Sequence, residues 1–146
     1  MALRSRRTAA RALALVLVLA NITYVAHGAP LCESNDLGCS IFNGQHSVEA
    51  QLRDDDRLLP GSTTRCANCH SQTGSGDAFA PPLTAGNLFP AKSRRDGPAS
   101  SYDQATFCRA LREGIDPVNV MLRKAMPHYR ISETECAALW HFVTKR

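Results

Sequence analysis

One short motif constrains this chain more than any other feature: two cysteines separated by two residues, with a histidine directly after the second. It reads Cys66-Ala67-Asn68-Cys69-His70. Two thiols on one turn can each add to a vinyl group of a haem, and the adjacent imidazole can reach the iron from the proximal side. The motif therefore predicts one covalent c-type haem held by Cys66, Cys69 and His70.

Two other chemistries use a similar pair of cysteines. A zinc site needs a second pair of ligands at a suitable spacing, and the four remaining cysteines contain no second C-x-x-C pair. A thioredoxin-like redox pair needs a βαβ setting, and no strand-rich pattern surrounds Cys66. The haem interpretation is therefore preferred to either alternative.

Residues 1–28 have the three-part layout of a secretory signal peptide. A basic stretch with Arg4, Arg6 and Arg7 precedes an apolar run over 12–20. Ala26 and Gly28 then supply small residues at the −3 and −1 positions of a cleavage site. The alternative is an uncleaved anchor, but a membrane span needs about 20 apolar residues. We expect cleavage after Gly28, export to the periplasm, and no stable membrane insertion afterwards.

The charge of the exported part is balanced. Four of the 17 Lys and Arg residues lie before residue 29, so 13 remain against 13 Asp and Glu residues. The basic character of the whole chain therefore does not predict a nucleic-acid partner. A local basic cluster remains at Lys92-Ser93-Arg94-Arg95, which we expect to be a solvated loop, with a docking patch for an acidic partner as the alternative.

Apolar spacing predicts helices and gives no sign of strand alternation, so the expected fold is all-α, a small helical domain with long loops. Residues 29–61 form an N-terminal segment with a helix within 40–53, and residues 62–146 form the haem domain. A helix is expected from Ser101 to Gly114, and a short one over 118–125. The loop over 71–100 is expected to pack on the haem through apolar anchors, Phe79, Leu83, Leu88 and Phe89.

The C-terminal helix has the clearest pattern. Ser132 and Glu135 form a capping box, and apolar residues follow at i, i+3, i+4 and i+7, namely Cys136, Leu139, Trp140 and Val143. Cys108 also lies on an apolar helix face, so a Cys108–Cys136 disulfide is expected in an exported protein. The other expected pair is Cys32–Cys39, with buried free thiols as the alternative for all four.

An electron carrier usually has a second protein ligand on the iron. The candidates are Met121, Met126, His46, His128 and His141. Met126 is favoured, because Pro127 fixes the backbone behind it and an irregular segment before a capped helix can turn a side chain inward. Met121 is expected to pack, His128 and His141 to lie near the surface, and His46 is the outside alternative.

Residues from about 62 to 146 resemble a monohaem class I cytochrome c domain. The matching features, in order, are Cys66 to His70, Pro81-Pro82-Leu83, Met126-Pro127 and the amphipathic C-terminal helix. The resemblance implies that Met126 is the distal ligand. It also implies that the Pro81 carbonyl, in a segment with Leu83, holds the proximal imidazole of His70.

A further likeness concerns partners. The segments 107–117 and 126–129 resemble cytochrome c subunits of periplasmic dehydrogenases. This implies a redox partner protein, a dehydrogenase or an oxidase, without naming it. The function expected is therefore electron transfer by a protein that is not itself an enzyme. The alternative is a peroxidase-like haem enzyme, which needs an open or displaceable distal position.

Overall fold

Four α-helices pack around one apolar core in the computed structural model, which describes residues 32–70 and 79–145. The expected signal peptide and the segment 71–78 lie outside the described residues. All the described residues belong to one unit, Leu31–Arg146. The elements in chain order are α1 (Leu37–Asn43), β1 (Ala50–Gln51), a 3₁₀ helix (Cys66–Asn68), α2 (Ala85–Leu88), α3 (Gln104–Glu113), β2 (His128–Tyr129) and α4 (Glu133–Thr144).

Helix α1 is short and lies directly on α4. Asp36 caps its N-terminus by accepting a hydrogen bond from the Cys39 amide at 2.8 Å. A Cβ atom added at Gly38 would lie 2.6 Å from the Cβ of Phe142, so only glycine allows this approach. The rings of Phe42 and Phe142 then meet with their centroids 5.5 Å apart. The contact fixes α1 against the C-terminal helix.

Helices α3 and α4 both begin with a capping box. Asp103 accepts from the Thr106 amide at 2.7 Å, and Ser132 pairs with Glu135 as the sequence predicts. Helix α3 ends at Gly114, whose φ of +68° is the left-handed conformation that favours glycine. The buried faces of the two helices supply much of the core, with Phe107, Cys108, Leu111, Cys136, Leu139, Phe142 and Val143.

A small antiparallel sheet joins the two halves of the chain, which the expectation of an all-α fold did not include. Ala50 of β1 lies opposite Tyr129 of β2, and Gln51 lies opposite His128. Each strand has two residues. Strands this short cannot display an alternating pattern, which explains why none is evident in the sequence.

Some expected helix positions are wrong. The helix sought within 40–53 lies at Leu37–Asn43, because Asp36 begins it and Gly44, with φ of +75°, ends it. No helix forms over 118–125. The chain makes a turn there instead, in which the Asp116 carboxylate accepts hydrogen bonds from the amides of Val118 and Val120. Helix α3 begins at Gln104 rather than Ser101, and the expected loop over 71–100 contains α2.

Both favoured disulfides are the pairs found in the structure. Cys108 and Cys136 are bonded, with their Cα atoms 5.9 Å apart, and they join α3 to α4. Cys32 and Cys39 are bonded with a Cα separation of 5.7 Å, and they tie the start of the described chain to α1. The alternative of buried free thiols is therefore wrong for these four cysteines.

Replacing Cys108 and Cys136 together by alanine should lower the free energy of unfolding by about 3–4 kcal/mol, because the crosslink restricts the unfolded chain. The sequence separation of 28 residues exceeds the 7 of Cys32 and Cys39. The matched pair of alanines at Cys32 and Cys39 should therefore cost less. Denaturant unfolding of the full chain measures both effects, and a larger loss from the shorter loop would contradict this account.

Candidate functional site

The cysteine–histidine motif folds as one tight turn. The amide of Cys69 donates to the Cys66 carbonyl at 3.2 Å, and the His70 amide donates to the same carbonyl at 2.8 Å. Cys66 is buried, with 6% of its surface exposed, and Cys69 is half-buried. Neither cysteine forms a disulfide. The turn thus presents two free thiols and an imidazole within five residues.

Two hydrogen bonds fix the residues that lead into this turn. The Tyr129 hydroxyl, from β2, donates to the Thr64 carbonyl at 2.8 Å, and Asn68 Nδ2 donates to the Ser62 carbonyl at 2.9 Å. On its inner side Cys66 borders a cavity of only ≈ 10 Å³, room for about one water molecule. A large group does not fit in this cavity beside Cys66.

The His70 imidazole is held by the carbonyl group that the cytochrome resemblance implies. Nδ1 of His70 lies 2.7 Å from the Pro81 carbonyl oxygen. A carbonyl oxygen can only accept, so Nδ1 carries the proton and Nε2 keeps its lone pair. Burial lowers the pKa of His70, and the bond to Pro81 opposes this shift. Burial has the larger effect, so the imidazole is neutral at neutral pH, and the bond to Pro81 leaves the Nε2 lone pair free to bind a metal.

The Cys66 thiol lies in a more buried environment than the Cys69 thiol. Burial, reinforced by the neighbouring Cys69, raises the pKa of the Cys66 thiol to about 12. Cys66 is therefore a protonated, neutral thiol at neutral pH. It also belongs to the apolar core cluster, against which Ala67 and Leu83 pack.

Of the two candidate methionines, Met126 is the one that packs inward. Its side chain lies against the same core cluster as Ala67 and Leu83. Its amide donates to the Arg123 carbonyl at 2.9 Å, and β2 begins two residues later. Met121 is 56% exposed, whereas it was expected to pack. The geometry favours Met126 over Met121 as a thioether ligand.

The three candidate histidines are engaged elsewhere or face solvent. Nε2 of His46 lies 2.6 Å from Oε1 of Glu135. The ring of His128 lies against Gly114, where an added Cβ would collide with it. His141 is exposed on α4. None of these positions favours a histidine over Met126.

The apolar loop anchors divide into two groups. Leu88 is buried, at 5% exposure, and Leu83 packs against the core. Phe79 and Phe89 are 66% and 51% exposed, although the Phe89 ring meets that of Trp140 with centroids 5.7 Å apart. Phe79 and Phe89, which lie near Pro81 in the sequence, therefore remain partly exposed at the surface.

Sequence reasoning missed the residues that hold the motif from a distance. Nothing in the spacing of Tyr129 signals its bond to Thr64, because the two are 65 residues apart.

Arg95, which was expected to belong to a solvated cluster, forms an ion pair with the buried carboxylate of Asp116. The Asp-Pro pair at 116–117 is typical of a turn, but it gives no sign of the arginine that the turn binds.

Comparison with protein-family models, with curated proteins and with solved structures finds no match to this chain. The site is therefore judged by its own residues. Within residues 32–70 and 79–145, no group of three or more His, Cys, Asp or Glu side chains is arranged to hold a metal ion, as a zinc site would require. Nor does this part of the chain contain a helix long and apolar enough to cross a membrane.

The Glu135 carboxylate should make stability depend on acid pH. Hydrogen bonds from Ser132, with His46 adding to them, lower its pKa from 4.5 to about 2. A lowered folded-state pKa stabilises the fold above the unfolded-state pKa, and this contribution is lost as the pH falls through the folded-state value. Glu135→Gln should therefore lower Tm at pH 6 and have little effect near pH 2.

The matched control is Glu113→Gln, an exposed glutamate on α3. Thermal unfolding followed from pH 6 to pH 2 compares the two variants. A difference between Glu135→Gln and the wild type that does not shrink as the pH falls would contradict the assignment.

Proposed function

We propose that this protein is a periplasmic electron carrier with one covalent c-type haem, ligated by His70 and Met126. The observation that carries the proposal is the bond between His70 Nδ1 and the Pro81 carbonyl, at 2.7 Å. A histidine in a metal site usually donates its second ring N–H to such an acceptor, which fixes the tautomer and raises the basicity of the ligating nitrogen. The same imidazole directly follows two free thiols.

The donor set of the chain fits the group that the motif implies. When bound, the haem supplies a one-electron redox centre. Cys66 and Cys69 hold it at two points through thioether bonds, which replace the free thiols. His70 offers Nε2 as the proximal ligand, and Met126 offers a thioether from the core side of its loop.

The surroundings of the site suit electron transfer. Leu83 and Met126 pack against the apolar core, and an apolar surrounding keeps water away from a charged centre. Methionine and histidine ligation together raise the reduction potential. If His70 and Met126 both bind the haem iron, the protein would leave no open position for a substrate, which favours a carrier over an enzyme.

Location and partners follow from the same proposal. The two disulfides are compatible with an oxidising compartment, in line with export through residues 1–28. The partner is proposed to be a redox protein, a dehydrogenase or an oxidase. The balanced charge of residues 29–146 gives no reason to propose nucleic acid.

Covalent attachment is tested by producing the full chain in a host that exports proteins and attaches haem. Cys66→Ala and Cys69→Ala should each leave at most one thioether and lower the yield of haem protein, and the double variant should leave none. Intact mass after acid-acetone extraction measures the bound haem. The control is the double alanine variant of Cys32 and Cys39, which should keep its haem. A wild-type protein with only the mass of the polypeptide would overturn the proposal.

Distal ligation is tested by Met126→Ala. A methionine thioether on ferric haem gives a weak absorption band near the red end of the spectrum, which this variant should lose. Its reduction potential should fall, and cyanide should bind roughly tenfold tighter or more, because the competing side chain is gone. Met121→Ala is the matched control and should behave as the wild type.

Retention of the red band in Met126→Ala would contradict the ligand assignment. A wild-type protein that lacks the band and binds cyanide freely would instead favour the alternative, a peroxidase-like haem enzyme with an open distal position.

A further inference from the structure

The loop before Met126 is organised around the carboxylate of Asp116, which has no solvent exposure (0%). Its Oδ1 accepts hydrogen bonds from the amides of Val118 and Val120, at 3.0 and 2.7 Å. Its Oδ2 accepts a hydrogen bond from Arg95 Nη2 at 2.5 Å. One oxygen therefore closes the local turn, and the other binds a guanidinium group from a different segment.

The Asp116 turn lies in a small hairpin that leads into Met126. Ile115 and Met121 face each other as a bridged pair, and the Leu122 amide donates to the Gly114 carbonyl at 2.7 Å. Met126 follows four residues after Leu122. The position of the hairpin thus sets the path by which the chain reaches the proposed ligand.

Arg95 belongs to the segment that holds the proximal side of the site. The preceding residue, Arg94, donates through Nη2 to the Asn87 carbonyl at 2.7 Å. Asn87 Nδ2 donates in turn to the Pro82 carbonyl at 3.0 Å. Pro82 follows directly after the proline whose carbonyl accepts the proximal imidazole. The Arg95–Asp116 pair therefore connects the proximal proline segment to the distal loop.

Backbone conformation gives a second, independent sign that this connection is held under strain. φ is +52° at Arg95, +60° at Asp96 and +64° at Asn119. Asp and Asn adopt this left-handed conformation readily in turns, but an arginine rarely does, because its Cβ crowds the carbonyl oxygen. It persists where surrounding contacts fix the chain. The strained residue is therefore Arg95 itself.

We propose that Arg95 is a positioning residue, which keeps Met126 in place as the distal ligand through its ion pair with Asp116. The inference rests on the proposed function, since it assigns a role in the ligation of the same haem. Arg95 also interacts with the Tyr102 hydroxyl, but its link to the distal loop is the ion pair with Asp116. Without the Arg95 guanidinium, Oδ2 of the buried carboxylate loses its ion-pair partner. Arg109 remains nearby, but its Nη2 donates to the Asp116 backbone carbonyl at 2.9 Å and not to the carboxylate. The buried charge is then poorly compensated, which favours opening of the turn to hydrate it. The hairpin then no longer holds Met126 in one position.

The test uses the full-length haem protein and three variants. Arg95→Gln removes the charge, and Arg95→Lys keeps the charge but loses the planar fork. The matched control is Arg57→Gln, which breaks an ion pair with Asp55 of similar length, 2.7 Å, at a side chain that is 89% exposed. The measurements are the red absorption band of the ferric protein, cyanide affinity, thermal stability and hydrogen exchange at the amides of Val118 and Val120.

Arg95→Gln should weaken the red band and raise cyanide affinity roughly tenfold, because the affinity rises with the fraction of molecules in which Met126 has left the iron. The amides of Val118 and Val120 should exchange faster. Arg95→Lys should lie between Arg95→Gln and the wild type, and Arg57→Gln should match the wild type.

Each contrary result has a distinct meaning. An Arg95→Gln variant with a wild-type band and wild-type cyanide affinity, even at lower thermal stability, overturns the positioning role and leaves the proposed function standing. A wild-type protein without covalent haem overturns both. If Arg95→Gln yields no haem protein, Arg95→Lys decides: a weaker band supports the role, and wild-type behaviour overturns it.

Discussion

Burial of one face of α4 is the constraint on which the rest of the described structure depends. Cys136 and Val143 have no exposed surface, and Leu139 has 1%. Truncating a leucine buried in this way typically costs about 2–5 kcal/mol. Helix α1 lies on α4 through Gly38, and α3 is bonded to it through Cys108. The core formed in this way is the surface against which the cysteine turn, Leu83 and Met126 pack.

The parts of this fold that were predictable from the sequence are those with a local cause. The capping box of α4 depends on two residues three apart, and the end of α3 depends on one glycine. The turn at Cys66 to His70 is local too. Each is specified within a few residues, so spacing alone was sufficient to find it.

The features that sequence reasoning missed depend on distant partners. The strands β1 and β2 are two residues long and pair across the chain, so neither has a pattern of its own. The expected helix over 118–125 fails because Asn119 has a left-handed φ of +64° and the chain turns back, so that Met121 bridges to Ile115. The exposure of Met121 follows from the same turn. Burial of a single carboxylate cannot be read from apolar periodicity.

The burial of Cys66 also bears on the reactivity of its free thiol. A pKa of about 12 instead of 9.0 leaves about a thousandfold less thiolate at neutral pH. The higher intrinsic nucleophilicity of the remaining thiolate offsets part of this, so thiol–disulfide exchange slows on the order of ten- to a hundredfold. Burial thereby slows exchange between Cys66 and the two structural disulfides of the folded polypeptide.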